Sequence, residues 1–186
     1  MLIPLRLSSQ SDEQLMQRAS RGSNRAFEEL YNRYARRLQG FFVRRLGDDA
    51  DLAADFMHDT FLRLYAARET YREGRNFRAW LFTIAYNLCR NHHRNQLTIV
   101  SDEGIDITDE ANIEVELDQK DLRDALKEVL RQLPEPYAML FSLHYEEELT
   151  VPQIAQITGL PEGTVKSRLH KTMQIIKQNL KQYEHH

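Results

Sequence analysis

The sequence of 186 residues has one cysteine, Cys89, and one tryptophan, Trp80. A lone cysteine excludes an intrachain disulfide framework and any zinc site built from several thiolates. No apolar run approaches the roughly 20 residues of a membrane span. The opening stretch, broken by Pro4 and Arg6, is too short for a signal peptide, so no membrane insertion and a cytoplasmic location are expected. Gly-rich phosphate loops and nucleophile–base pairings are also missing. The sequence therefore points to no enzyme and no cofactor. Seven glycines, five prolines and a mean hydropathy of -0.61 describe a helix-friendly chain, and no stretch alternates like a strand.

A net charge of -3 argues on its face against a nucleic-acid binder. The total conceals two blocks of opposite sign. Residues 1–96 carry 16 Arg, no Lys and 11 acids, whereas 97–118 carry eight acids and no base. Between Gly74 and Val100 there is no acid at all, while Arg75, Arg78, Arg90 and Arg94 fall there with His92 and His93. Arginine is forked and weakly hydrated, which suits bidentate phosphate contacts and stacking on bases.

The acidic segment 97–118 lacks helical periodicity and reads as a linker between two helical domains, 1–96 and 119–186. In the first, Ser11 offers a helix start, and Ser23 or Asn24 caps a long helix with Phe27, Leu30, Tyr31, Tyr34, Leu38 and Phe41 on one face. After a break at 47–49, Leu52, Phe56, Thr60, Phe61, Leu64 and Tyr65 mark another helix. Phe77, Trp80, Leu81, Ile84, Ala85 and Leu88 mark a further one, making a bundle of three or four helices. In the second domain, Leu122, Leu126, Val129, Leu130 and Leu133 form a helix stopped at Pro134, and a second follows from about Tyr137. Thr150 then caps a short helix with Pro152 in its first turn. Thr158-Gly159-Leu160 makes a tight turn, and Pro161-Glu162 opens a last helix reaching about Gln182. This order spells a helix-turn-helix.

The last helix carries five bases and one acid between Pro161 and Lys181. Lys166, Ser167, His170 and Lys171 face outward with Arg168 on the flank, the residue types that meet bases and phosphates in a major groove. A plain hairpin with a solvated basic face is the blander alternative. On the helix from Phe77, the polar face (Asn87, Arg90, Asn91, Arg94) is the candidate DNA contact, and Trp80 is divided between core and base contact. Cys89, His92 and His93 invite a metal reading. Adjacent histidines, however, diverge by about 100° on a helix, and no carboxylate lies nearby, so no metal is assigned and the histidines are expected to be exposed or phosphate-facing.

Three stretches resemble, in order, the extracytoplasmic-function (ECF, group 4) sigma factors of bacterial RNA polymerase. Asp51 to Tyr65 (DLAADFMHDTFLRLY) looks like region 2.2. Phe77 to Asn87 with Arg90 to Arg94 looks like regions 2.3 and 2.4. Leu133 to Tyr137 and Gly163 to Lys171 (GTVKSRLHK) look like region 4. The resemblance implies a two-domain all-α fold. It implies that Asp55, His58, Asp59 and Arg63 dock on the β′ clamp helices of core RNA polymerase, with the β flap a further contact. The loop 69–76 and the helix 77–94, with Arg75, Arg78, Trp80, Asn87, Arg90, Asn91 and Arg94, would open the -10 element and hold its single strand. Lys166, Ser167, Arg168, His170 and Lys171 would read the -35 element of promoter DNA, and the acidic linker would thread toward the RNA exit path. An anti-sigma factor is an implied partner. Ala54, His58 and Gln153 depart from the family's usual acid, glutamine and acid. The competing readings are a stand-alone dimeric helix-turn-helix regulator, which would bind duplex tightly without polymerase, and an adaptor that binds only protein.

Overall fold

A computed structural model describes residues 7–96 and 119–183; the acidic segment and the terminal histidine pair lie outside them. Among the described residues there are eight α-helices and no strand, and the chain divides into two compact units, Met1–Leu97 and Thr98–His186.

The first unit contains α1 (Asp12–Ser20), α2 (Asn24–Arg45), α3 (Ala50–Ala66) and α4 (Phe77–Gln96), with short 3-10 turns at Leu7–Ser9 and Arg68–Thr70. Each start has a local cause. Ser11 and Gln14 form a reciprocal capping box on α1, Ser23 accepts from the Ala26 amide, and Asp49 accepts from the Leu52 amide. The break before α3 places both Gly47 (φ 70) and Asp48 (φ 64) in the left-handed region, where a short polar side chain is the best substitute for glycine. The core is aromatic: Phe41, Phe42, Phe77 and Phe82 are fully buried. Phe41 meets Phe82 edge-on at 5.4 Å, and Phe77 meets Tyr34 at 5.3 Å. Burying each such ring is worth on the order of 1.5–3 kcal/mol.

The second unit contains α5 (Gln119–Gln132), α6 (Glu135–Phe141), α7 (Val151–Thr158) and α8 (Glu162–Tyr183). Pro134 ends α5, and Pro136 sits in the first turn of α6, where a missing amide costs nothing. After α6 the chain widens into one π-helical turn, Ser142–Glu146, which no periodicity in the sequence announced. Val129, Leu133, Ala138, Ile175 and Ile176 form a core between α5, α6 and α8. The α7–α8 pair packs through Ile154, Ile157, Val165 and Leu169. One turn further along α8, Thr172 is fully buried and donates its hydroxyl to the Arg168 carbonyl at 2.7 Å.

Candidate polymerase and nucleic-acid interfaces

The outer edge of α3 exposes Asp55, His58 and Arg63, with Asp59 half-buried. Asp59 accepts from Arg63 Nε at 3.0 Å, and this bond raises the Arg63 pKa. Both side chains of the pair remain substantially open to solvent, so it adds little to stability and leaves both charges at the surface. His58 Nε2 lies 3.4 Å from the Tyr31 hydroxyl. Two features on this side escaped sequence reasoning. Leu62, 69% exposed, interrupts a polar edge. The other is a groove of about 330 Å³ between α2 and α3, lined by Asn24, Phe27, Glu28, Tyr31 and Tyr65. Helical spacing places Phe27, Tyr31 and Tyr65 on the apolar faces of their helices, and Leu62 off those faces.

The loop before α4 and its first turns are held by side chains from several elements. Asn76 Oδ1 accepts from the Ala79 amide at 2.8 Å, and the Phe77 amide donates to Glu13 Oε1 at 3.2 Å. Trp80, expected to be divided between core and base contact, is only 6% exposed and packs in the core. The indole belongs to the same apolar row as Phe77, Leu81 and Ile84, and its remaining faces are covered. Tyr71 lies 5.4 Å away at 30°, and the Arg75 guanidinium sits 4.7 Å from the ring. Tyr71 donates its hydroxyl to the Arg75 carbonyl at 2.6 Å. Burial, helped by the charge of Glu13, pushes the Tyr71 pKa up to about 12. Desolvation lowers that of Arg75, which nonetheless stays charged. Arg78 is half-buried and hydrogen-bonds the Tyr34 hydroxyl, which is also bonded to Asp12.

Further along α4, Asn87, Arg90, Asn91 and Arg94 fall at i, i+3, i+4 and i+7, one stripe of the helix. The arginines and Asn91 are exposed, and Asn87 is half-buried. Arg90 reaches back over Tyr86 at 6.0 Å. Contrary to expectation His92 and His93 are both half-buried, and the reason is packing: His92 lies edge-on to Phe56 of α3 at 5.4 Å. Among the described residues no three His, Cys, Asp or Glu side chains are grouped to hold a metal ion.

In the second unit, α7 begins at Thr150, which forms a capping box with Gln153: the Thr150 amide donates to Gln153 Oε1 at 2.8 Å. Glutamine thus performs the task that an acid at this position would. The turn is fixed by Gly159 in the left-handed region (φ 74) and by Thr158, whose hydroxyl donates to Ile154 O at 2.7 Å and accepts from the Leu160 amide at 3.3 Å. The turn delivers α8 with Lys166, Ser167 and His170 exposed and Arg168 half-buried. Lys171 is half-buried as well, its ammonium 5.8 Å from the Tyr137 ring.

A compact helical unit with an aromatic-backed arginine stripe, and a helix-turn-helix with a basic second helix, define the class of protein. The chain matches the family models Sigma-70 region 2 over residues 30–97 and Sigma-70 region 4 over residues 123–176. It is 30% identical to the RNA polymerase sigma-H factor of Pseudomonas aeruginosa, covering 94% of this chain and 96% of that protein. With the RNA polymerase sigma factor CarQ of Myxococcus xanthus the identity is 31%, over 91% of this chain and 97% of the relative. The structure of the sigma factor RpoE in complex with the anti-sigma factor NepR from Bartonella quintana superposes with a TM-score of 0.63 at 26% identity, covering 83% of this chain and 96% of that one. CnrH, solved with the cytosolic domain of CnrY, shares the fold at a TM-score of 0.66 and 23% identity, covering 89% and 94%. The chain belongs to the sigma-70 family and, within it, to the ECF RNA polymerase sigma factors. Among the described residues no helix is long and apolar enough to cross a membrane.

Proposed function

We propose that this sigma factor directs core RNA polymerase to a two-part promoter, with the division of labour 1–96, 97–118 and 119–186. The carrying observation is that Arg75, Arg90 and Arg94 are exposed in a stretch without an acid, and that the second helix of the helix-turn-helix exposes Lys166, Ser167 and His170. Asp55, His58, Asp59 and Arg63, joined by Leu62, dock on the β′ clamp helices, and the second unit takes the β flap. Arg75, Asn87, Arg90, Asn91 and Arg94 hold the exposed strand of the -10 element, the cations following its phosphates. Arg78 and Trp80 shape that surface from beneath. Lys166, Ser167 and His170 meet the -35 element in the major groove, with Arg168 and Lys171 supplying flanking positive charge. The eight acids of 97–118 suit a channel built for a polyanion.

The similarity to a sigma factor captured with its anti-sigma factor supports regulation of this chain by an inhibitor that covers these same surfaces. The chain itself carries no chemical step in this reading, and it acts where the polymerase is. Mixing it with core polymerase and genomic promoter fragments is expected to give transcripts from discrete start sites. Start sites no different from those of core enzyme alone would overturn the proposal.

A further inference from the structure

We propose that Glu13 is a positioning residue for promoter opening: from α1 its carboxylate latches the first turn of α4 and, through it, the Tyr71–Arg75–Trp80 stack that meets the unpaired strand. The proposal rests on the reading of that loop as part of the strand site.

The latch spans 64 positions of sequence, from Glu13 Oε1 to the Phe77 amide. The bond is part-buried beside the fully buried Phe77 ring, and with a carboxylate as acceptor it is stronger than a neutral hydrogen bond. A carboxylate at a helix N-terminus is also favoured by the aligned peptide dipoles. With Asn76 taking the Ala79 amide, two of the four donors that a helix start leaves open are satisfied by side chains. The carboxylate is itself on a fixed base. Leu15, Met16 and Ala19 bury one face of α1, and Arg33 of α2 donates to the carbonyls of Leu7, Ser8 and Gln10 and to Asp12 Oδ1 at 2.8 Å. Asp12 in turn bonds the Tyr34 hydroxyl, and the Tyr34 ring packs on Phe77. A continuous set of bonds therefore runs from α2 through α1 to the residue that starts α4.

Immediately before that residue lies the loop that carries Tyr71 and Arg75. Tyr71 and Arg75 cover Trp80, and the Tyr71 hydroxyl returns to the Arg75 carbonyl. Such a loop is placed in space by its two ends, and Glu13 fixes the later one. A strand exposed only transiently is caught best by a surface already in its bound shape, because ordering it on contact subtracts from affinity. Loss of the latch should therefore appear in strand capture. Core assembly should be spared, since α3 takes no part in these bonds.

Trp80 is the only tryptophan, so its emission reports the stack directly. In the full-length chain, Glu13→Ala is expected to shift Trp80 emission to the red. In the reconstituted holoenzyme it should weaken binding of a labelled single-stranded -10 oligonucleotide, taken from a promoter the holoenzyme transcribes, by about tenfold, the scale of one charge-assisted hydrogen bond. Affinity for core polymerase should not change. Glu13→Gln keeps a neutral acceptor for the Phe77 amide and is expected to lose less on both counts. A change in only one of the two readouts, in neither, or an equal loss of core binding overturns the latch. Should Glu13→Ala lose its helical circular dichroism, Glu13→Gln replaces it, and wild-type strand affinity in that variant overturns the proposal. Arg75→Ala and Arg90→Ala separate this inference from the reading beneath it. Strand affinity untouched by both sinks the strand site itself, whereas losses in both with none in Glu13→Ala sink only the latch.

Discussion

Lys166 and Lys171 carry the same charge on α8, and the structure gives them different surroundings. Lys166 is exposed in the first turns of the helix, where a side chain entering the major groove reaches base edges. Lys171 is half-buried with its ammonium over the Tyr137 ring, a contact worth roughly 0.5–1 kcal/mol that biases the side chain against extending. Lys166→Ala is therefore expected to relax base preference at one -35 position by about 1–3 kcal/mol, and Lys171→Ala to weaken all -35 sequences alike. Transcription from a library of -35 variants measures both, and a position-specific loss in Lys171→Ala would reassign it as a reader. On α3, Asp55 is exposed, so Asp55→Ala should leave the melting temperature near that of the wild type while weakening core polymerase binding. Intact holoenzyme assembly by that variant would remove Asp55 from the docking edge. Trp80 shows what sequence alone resolves at this scale. Its place in the apolar row of α4 was legible and left it divided between core and base contact, whereas the covering by Tyr71 and Arg75, which comes from a preceding loop, was not.

Helix starts were the most legible elements, because Ser11, Ser23 and Thr150 each declare a cap within three residues of the bond they make. The turn before α8 was legible for the same reason, and it sets the aim of the recognition helix. Since Gly159 has φ 74, Gly159→Ala should cost about 1–2 kcal/mol of stability in the second unit, measurable by urea unfolding of the full chain. What the sequence concealed is long-range or lacks a local signature. The Glu13–Phe77 bond joins residues 64 apart, and the π-helical turn at Ser142–Glu146 differs from α-helix by a single extra residue. The α1–α2 contact also makes a pH prediction. Burial, reinforced by Asp12, pushes the Tyr34 pKa from 10.0 to about 12. The folded state therefore favours the protonated phenol. That stabilisation is full below pH 10 and is lost as pH rises through about 12. Tyr34→Phe should flatten the alkaline loss of stability in this window only in part, because Tyr71 is raised similarly. An unchanged slope would show that the Tyr34 phenol is not what titrates.

For the whole molecule, the net charge of -3 is the sum of an acidic segment of -8 and a remainder of +5, so the average says nothing about the surfaces that meet DNA. The two cationic surfaces lie in separate units joined by residues 97–118, a tether of 22 positions. Fully extended it reaches about 70 Å, close to two turns of DNA at roughly 34–36 Å each. In the proposed reading one chain engages two different elements of one promoter, and its footprint should lack the two-fold symmetry of a dimeric regulator on half-sites. The duplex adds an angular condition. With polymerase holding both units, each element must face the unit that reads it. Inserting about five base pairs between the -10 and -35 elements turns one of them by roughly half a helical turn. A duplex of this length resists twisting back, and transcripts should fall by about tenfold or more, the effect of losing at least 1.4 kcal/mol of the -35 contact. A promoter carrying the insertion together with a scrambled -35 element should be no worse than one with the insertion alone. Undiminished transcription from the inserted promoter would mean that the helix-turn-helix does not read its element while the first unit holds the -10 strand.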